Sequence, residues 1–378
     1  MTRKQAVDAH VRDGDAPSWF VATSAGRVAA VLAVRAVRFG GEDPVANIDI
    51  GEVPDPRPGP GEVLVAVGAA SLNHHDLWTL RGIGSRPLVE PQVLGCDAAG
   101  TVLAYGDGGP LDGDPPVGAA VVVHSVMTCG HCRACRSGDE LHCPRIGLLS
   151  EPPYPGTLAE RLVVPAANIL PLPEGVDVVT AACLPTAYLT AYRMLFVRAG
   201  LQPGQRVLVH GATGGVASAA ILIGKAAGLT VYATSREDAK RAAAVELGAA
   251  ATFATDRDGV KQVLAASDGG VDAVLDTVGE ATWDFSLRVT RPGGTVVVSG
   301  ATSGPNPPAQ LNRIFWRHLT IAGSSMGTRD ELARLVELCA GERLHPLVDS
   351  VRPLNEARDA FIALAGGERR GKLVLRPR

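Results

Sequence analysis

The run from Arg206 to Gly248 constrains the fold more than any other part of the sequence. Arg206–His210 reads as a strand, residues 211–215 as a glycine-rich turn, and residues 216–227 as a helix of small side chains. Residues 230–233 form the next strand and 236–247 the next helix, closed by Gly248. Short apolar runs at 250–254, 271–275, 295–299 and 319–322 continue the rhythm, most of them separated by helical stretches. Strands alternating with helices in this way pair side by side in a parallel sheet, with each helix a crossover on its face. The second half of the chain is therefore expected to be a doubly wound α/β domain. The first half differs. Residues 54–61 are a stiff Pro/Gly turn, 62–67 alternate as a strand, and 95–103, 118–123 and 162–165 keep this β-rich style. Late helices at 331–340 and 356–365 precede a last strand at 371–375. Residues 1–32 mix charges, Gly and Ala and read as a disordered leader. A chain of 378 residues suits two domains.

The turn after the first α/β strand is His210-Gly-Ala-Thr-Gly-Gly-Val-Ala217. It lacks a strict Gly-x-Gly-x-x-Gly, but Gly211, Ala212, Thr213, Gly214, Gly215 and Val216 are small enough for a backbone to approach a pyrophosphate. The following helix start offers free N–H groups to the phosphates. The tip of the next strand selects the cofactor. Ser235 and Arg236 stand where an acidic residue would hold a ribose 2′-OH, and Lys240 lies one helical turn further on. A hydroxyl and cations suit a 2′-phosphate, so NADPH is expected ahead of NADH, with the nearby Glu237 and Asp238 arguing the other way.

Four of the seven cysteines, Cys129, Cys132, Cys135 and Cys143, fall within fifteen residues at spacings of 3, 3 and 8. Short Cys-x-x-Cys steps let thiolates converge on one ion, and the longer arm closes a tetrahedron. Such a zinc has no open position and is structural. An iron–sulfur cluster is the alternative, but ferredoxin-type runs continue differently and no partner set of cysteines exists. His131 and His142 are spectators. The remaining thiols, Cys96, Cys183 and Cys339, are scattered, and no secretory signal fits the first residues, so a reduced, cytoplasmic setting is expected. A net charge of −3 and 4% aromatics give no basis for binding nucleic acid or a membrane.

Several stretches together resemble the medium-chain dehydrogenase/reductase superfamily, in its zinc-binding dehydrogenase and quinone-oxidoreductase-like members. They are Leu72-Asn-His-His-Asp-Leu-Trp78, Leu94-Gly-Cys-Asp-Ala-Ala-Gly100, the four-cysteine loop and Leu184-Pro-Thr-Ala187. The nucleotide turn, Asp276-Thr-Val-Gly279 and Gly371-Lys372 complete the set. The resemblance implies a GroES-like β-rich catalytic domain from residues 33–186 and 325–378, carrying the zinc loop 129–143. A Rossmann NADP-binding domain would be inserted at 187–324. It also implies a cleft between the two and a homodimer.

Zinc alcohol dehydrogenases of that superfamily hold a catalytic zinc by Cys, His and Cys, often with a nearby Glu. Projected here, those positions are Asn73, Cys96 and Thr186, with Asp97 in the Glu place. An amide and a hydroxyl are poor zinc ligands. Rebuilding such a site would need His74, His75 or Cys183. The resemblance places Asn73 beside the reacting end of the cofactor and His75 where a proton-relay hydroxyl usually stands. His74, Thr186, Thr190, Val278, Gly279, Gly300, Ala301 and Lys372 match positions that approach the cofactor, and Tyr188, Phe315 and Trp316 are candidates to line an apolar pocket. The expected function is NADPH-dependent hydride transfer to an activated C=C bond or a quinone, with one structural zinc and no catalytic one. An alcohol or polyol dehydrogenase with an atypical metal site is the alternative enzyme, and a non-catalytic NADPH-binding protein the alternative class.

Overall fold

The computed structural model describes residues 29–84, 87–367 and 369–377. Residues 1–28, most of the expected leader, lie outside the described residues. The first strand, Ala30–Ala36, begins inside the stretch expected to be leader, because it pairs antiparallel with Ile48–Pro54 from Ala30↔Pro54 to Ala36↔Ile48. Val31, Ala33, Val34 and Ala36 are buried by that pairing, and their apolar surface is what carries the strand back past residue 32.

Both ends of the chain build one seven-stranded sheet around Glu62–Ser71. This strand pairs antiparallel with Asp97–Tyr105, with Arg161–Pro165 and with the C-terminal Lys372–Arg376. The last contact, Val374↔Ser71 and Leu375↔Ala70, sets the start of the final strand against the residues that follow Ser71. Val348–Pro353 then extends the sheet parallel to the final strand.

The inserted α/β body has six strands, all parallel, in the order 3-2-1-4-5-6: Ala251–Phe253, Thr230–Thr234, Arg206–His210, Val271–Asp276, Thr290–Val298 and Thr320–Gly323. This is the doubly wound order whose reversal, between the strands ending at His210 and Asp276, opens a crevice at their carboxyl ends. Two boundaries depart from the sequence reading for local reasons. The fifth strand starts at Thr290 instead of 295, since a register shift between Val271↔Thr290 and Ala273↔Thr295 accommodates Pro292-Gly293-Gly294. The helix after the second strand starts at Asp238 instead of 236, because the Ser235 hydroxyl accepts from the Glu237 N–H and closes a turn first.

One apolar cluster runs from Val207 and Ala273 through Leu184, Tyr188, Leu189 and Met194 to Ala69, Ala99 and Val122 of the β-rich sheet. The connecting helical stretch 184–198 thus welds the two bodies together. It contains two π-helical segments, Leu184–Tyr188 and Arg193–Arg198, of the kind that re-aims side chains at functional sites. The first carries Thr186 to the boundary between the bodies.

Candidate active site

The glycine-rich turn sits at the crevice. Gly211 has φ +86°, a conformation that favours glycine, and Gly214 caps the helix Gly215–Ala226. A Cβ on Gly215 would lie 3.2 Å from the Ala187 Cβ and 3.5 Å from Cδ of Lys372. The turn therefore rests directly on the connecting helix and on the lysine stem. Ala212 and Thr213 are buried and Val216 is half-buried. Gly279, at φ +90°, follows the strand ending at Asp276, whose carboxylate accepts from the Val278 and Gly279 N–H groups at 2.9 Å. Gly300 and Ala301 follow the next strand. These backbones form a cradle at the strand ends, with a helix N-terminus facing it, and fit a dinucleotide. At the second strand's tip, Lys240 is paired with Glu237 at 2.7 Å, whereas Arg236 is exposed and makes no hydrogen bond or ion pair among the described residues.

Beneath the turn lies a buried polar cluster. Lys372 is 2% exposed, and its ammonium donates to Leu72 O at 2.9 Å, Asn73 Oδ1 at 2.6 Å and Asp97 Oδ2 at 3.3 Å. Asp97, fully buried, also accepts from Ser71 Oγ (2.9 Å), Asn73 Nδ2 (2.8 Å) and Thr186 Oγ1 (2.6 Å). Cys96 Sγ lies 3.4 Å from Thr186 Oγ1 and 3.5 Å from Asn73 Nδ2. Burial, reinforced by the Asp76 and Asp97 charges, pushes the Cys96 thiol well above the ordinary thiol range.

These residues test whether a catalytic zinc fits at the projected positions. It does not. Asn73 and Thr186 spend their polar atoms on Asp97 and Lys372, and an ammonium already answers the carboxylate. Lys372, expected to contact the cofactor, has its donors committed inside the β-rich domain, and only its stem reaches the nucleotide turn. Asn73, expected beside the reacting end of the cofactor, has both amide ends committed as well.

His74 and His75 open the helix His74–Leu80, whose N-terminus is tied by the Asn73 N–H donating to Asp76 Oδ2 at 2.7 Å. His74 Nδ1 lies 3.3 Å from Arg369, on the loop that touches the nucleotide turn through Gly371 N–H and Thr213 O. Desolvation, then the Arg369 and Arg81 charges, lower the His74 pKa to about 4. His74 is thus neutral near pH 7, and Arg369, which sequence reading missed, brings a cation to the same edge of the turn. His75 Nε2 lies 3.1 Å from Glu151 Oε1, a second residue missed because no motif surrounds it. Thr190, nearly buried, sits one turn beyond Thr186.

The four-cysteine loop brings its sulfurs into one group, all within 4.8 Å of one another. Cys132 and Cys135 Sγ are 3.5 Å apart, and Cys129 and Cys135 are 3.9 Å apart. Sulfurs on one tetrahedral zinc sit about 3.8 Å apart. Backbone N–H groups of Cys132, Cys135 and Arg145 lie 3.4–3.5 Å from Cys129, Cys132 and Cys143 Sγ respectively, as thiolates require. The donor set fits a structural zinc. His131 and His142 stand outside the group.

All three pocket candidates lie elsewhere. Phe315 and Trp316 are 59% and 80% exposed on the helix Leu311–Trp316 and line no cleft. Tyr188 is fully buried and its hydroxyl accepts from the Leu347 N–H at 2.7 Å, which makes it core. Among the described residues, no helix is long and apolar enough to cross a membrane.

The sequence matches two family descriptions, "Alcohol dehydrogenase GroES-like domain" over residues 59–174 and "Zinc-binding dehydrogenase" over residues 215–341. It is 31% identical over 330 residues to an acryloyl-coenzyme A reductase of Metallosphaera sedula, covering 86% of this chain and 96% of that one. A solved NAD-dependent alcohol dehydrogenase superposes with a TM-score of 0.85 at 36% identity, covering 91% of this chain and 99% of its own. The 2-octenoyl-CoA carboxylase reductase CinF, solved with NADP and 2-octenoyl-CoA, superposes with a TM-score of 0.83 at 27% identity, over 92% of this chain and 88% of CinF.

Proposed function

The chain belongs to the zinc-binding dehydrogenase family, within the medium-chain dehydrogenase/reductase superfamily, and on that premise we propose that it is an NADPH-dependent reductase. It delivers hydride to an activated C=C bond, as in an α,β-unsaturated carbonyl compound, or to a quinone, without a metal ion at the reacting carbon. The observation that carries this reading is the Lys372–Asp97–Asn73–Thr186 network, which commits Asn73 and Thr186, at two of the three projected zinc-ligand positions, to a buried ion pair. A metal-dependent alternative would have to use His75, Asp76 and Cys96 beside it. Alcohol–carbonyl interconversion gains most from a Lewis acid on the developing alkoxide. Reduction of a conjugated C=C bond spreads the charge into an enolate, which hydrogen bonds and a proton source can manage. The names of two similar proteins, the acryloyl-coenzyme A reductase and CinF, point to substrates of this type.

Bound NADPH supplies the hydride. In this reading residues 211–216 and the following helix start hold its pyrophosphate, and Ser235 and Arg236 meet the 2′-phosphate with Lys240 behind them. Val278, Gly279, Gly300, Ala301 and Thr190 border the nicotinamide end, and His74 with Arg369 flanks the turn. Arg236→Ala is expected to lower the NADPH-over-NADH ratio of kcat/KM by about tenfold or more, since a charge-assisted phosphate contact is lost. An unchanged ratio removes Arg236 from cofactor selection.

The chain acts as a homodimer carrying one structural zinc per subunit. Leu311, Phe315 and Trp316 on one exposed helix, with Ile321 on the adjacent edge strand, supply an apolar patch that a second copy would cover. Trp316→Glu is expected to give a monomer by light scattering, while a dimer of unchanged mass places the interface elsewhere.

A second reading, alcohol or polyol dehydrogenation with an atypical metal, draws on the likeness to the NAD-dependent alcohol dehydrogenase. NADPH consumption across a panel of enones, quinones and alcohols, with zinc counted alongside, separates them. One zinc per chain and turnover of an enone or quinone support the reductase. Two zincs per chain, with activity lost on mild chelation, support the dehydrogenase. Binding of NADPH without turnover supports a non-catalytic role.

A further inference from the structure

We propose that His210 is a positioning residue for the dinucleotide: through Ser286 it ties the pyrophosphate turn to the Val278-Gly279 turn on the far side of the crevice. The inference rests on the cofactor reading above and deepens it. The sheet backbone does not make this tie. The ladder between Arg206–His210 and Val271–Asp276 runs from Val207↔Ala273 to Val209↔Leu275 and stops there, one residue short of His210 and Asp276. On its other flank His210 is still paired, with Thr234. The crevice thus opens where one ladder has ended and the two facing turns begin.

Side chains take over at that point. His210 Nε2 lies 2.8 Å from Ser286 Oγ, and Ser286 Oγ donates to Asp276 Oδ2 at 2.7 Å. Ser286 stands on the helix Glu280–Val289, which Gly279 caps. The Asp276 carboxylate also accepts from the Thr282 hydroxyl at 3.0 Å and from the Val278 and Gly279 N–H groups. The chain that starts at His210, next to Gly211, therefore ends on the backbone of the opposite turn. His210, Ser286 and Asp276 are all buried, so water does not compete for these bonds.

The geometry also fixes the proton on each bond. A carboxylate only accepts, so the single Ser286 proton goes to Asp276, and the Ser286 contact with Thr282 O is longer, at 3.1 Å. Ser286 Oγ then presents a lone pair to the imidazole, and His210 Nε2 carries the hydrogen. Nδ1, 2.8 Å from Thr234 Oγ1, accepts from that hydroxyl. Burial lowers the His210 pKa, with the Asp276 charge acting the other way. Phe285 packs against the imidazole edge to face, with ring centroids 5.5 Å apart, and holds its plane. A neutral imidazole with both nitrogens engaged is a strut between the walls of the crevice.

A dinucleotide lying across the crevice meets both walls at once. With the strut in place their spacing is set before binding. Without it, the cofactor has to order the two turns itself, and its affinity falls by that cost.

The test measures dissociation constants on the zinc-loaded full chain. Ser286→Ala removes only the oxygen in the middle of the chain, and its melting midpoint checks the fold. It is expected to weaken NADPH about tenfold, as for a broken buried hydrogen-bond link. Adenosine 2′,5′-bisphosphate reaches only the wall made by the pyrophosphate turn and the Ser235–Arg236 tip, and should weaken by less than about twofold. His210→Leu should repeat this pattern, and His210→Gln, whose amide N–H can still donate to Ser286, should recover most of the loss. In turnover, KM for NADPH rises while kcat at saturating cofactor stays within about twofold. Spectra of 15N-histidine-labelled protein, with His210 assigned by its loss in His210→Gln, should show the neutral Nε2–H tautomer at pH 7. Equal losses for NADPH and the bisphosphate overturn the proposal, because they report general damage. An unchanged NADPH affinity in Ser286→Ala, or hydrogen on His210 Nδ1, overturns it as well. If His210→Leu does not fold, Ser286→Ala and the tautomer decide. A wild-type chain that prefers NADH refutes the NADPH assignment alone, and NADH compared with AMP then reads the same tie.

Discussion

Replacing Lys372 with Met is expected to destabilise the protein by about 3–5 kcal/mol, the usual cost of removing one partner from a buried ion pair. The substitution keeps the stem that lies under Gly215 but removes the ammonium. Asp97 would then stay fully buried with its hydroxyl and amide donors and no opposing charge. Asn73 would lose the donor to its Oδ1, which loosens the start of the helix bearing His74 and His75. A calorimetric midpoint should fall by about 2–4 °C for each kcal/mol lost. The double variant Asp97→Asn, Lys372→Met is the sharper experiment. Removing both charges should recover a large part of the loss, giving a coupling energy of about 2 kcal/mol or more. Additive single effects would mean that the pair is not the element holding this cluster together.

Removing one thiolate from the four-cysteine loop should have the other large effect. Cys135→Ser takes a donor from the centre of the group, since Cys135 Sγ neighbours both Cys129 and Cys132. Zinc content should fall from one per chain towards zero, and protease cleavage should appear between residues 129 and 143. A loop whose order depends on a metal has little apolar burial to replace it, and of its four sulfur ligands only Cys143 is buried. The damage should extend beyond the loop. Glu140, between Cys135 and Cys143, accepts from the Arg329 N–H at 2.6 Å, at the start of the helix Arg329–Ala340. A variant that keeps its zinc and its protease resistance would contradict the structural role of these four residues.

Most of the α/β body was legible in the sequence because its strands are short, apolar and separated by helices of regular length. Arg206–His210 and the glycine turn after it follow from local rules alone. The boundary at Thr290 did not, since Pro292-Gly293-Gly294 reads as a break and only pairing with Val271 recruits the residue before it. The four-cysteine loop was legible because ligand spacing is local. The interior of the site was not. Lys372 falls in a Gly-Lys pair that reads as a cofactor contact. Pairing of the last strand with Ser71, some 300 positions away in the chain, turns its ammonium inward. Glu151 lies in a proline-rich turn 76 residues from His75, and nothing local marks it. Phe315 and Trp316 read as pocket residues by type, although the helix that carries them faces outward.

The central claim is that hydride reaches a carbon of a conjugated C=C bond and not a carbonyl carbon. The most direct measurement is single turnover of an α,β-unsaturated ketone with NADPH deuterated at the transferring C4 position, read by NMR of the product. The account predicts deuterium on the β-carbon of a saturated ketone, with solvent-derived hydrogen on the α-carbon. Deuterium on the carbinol carbon of an allylic alcohol would contradict it.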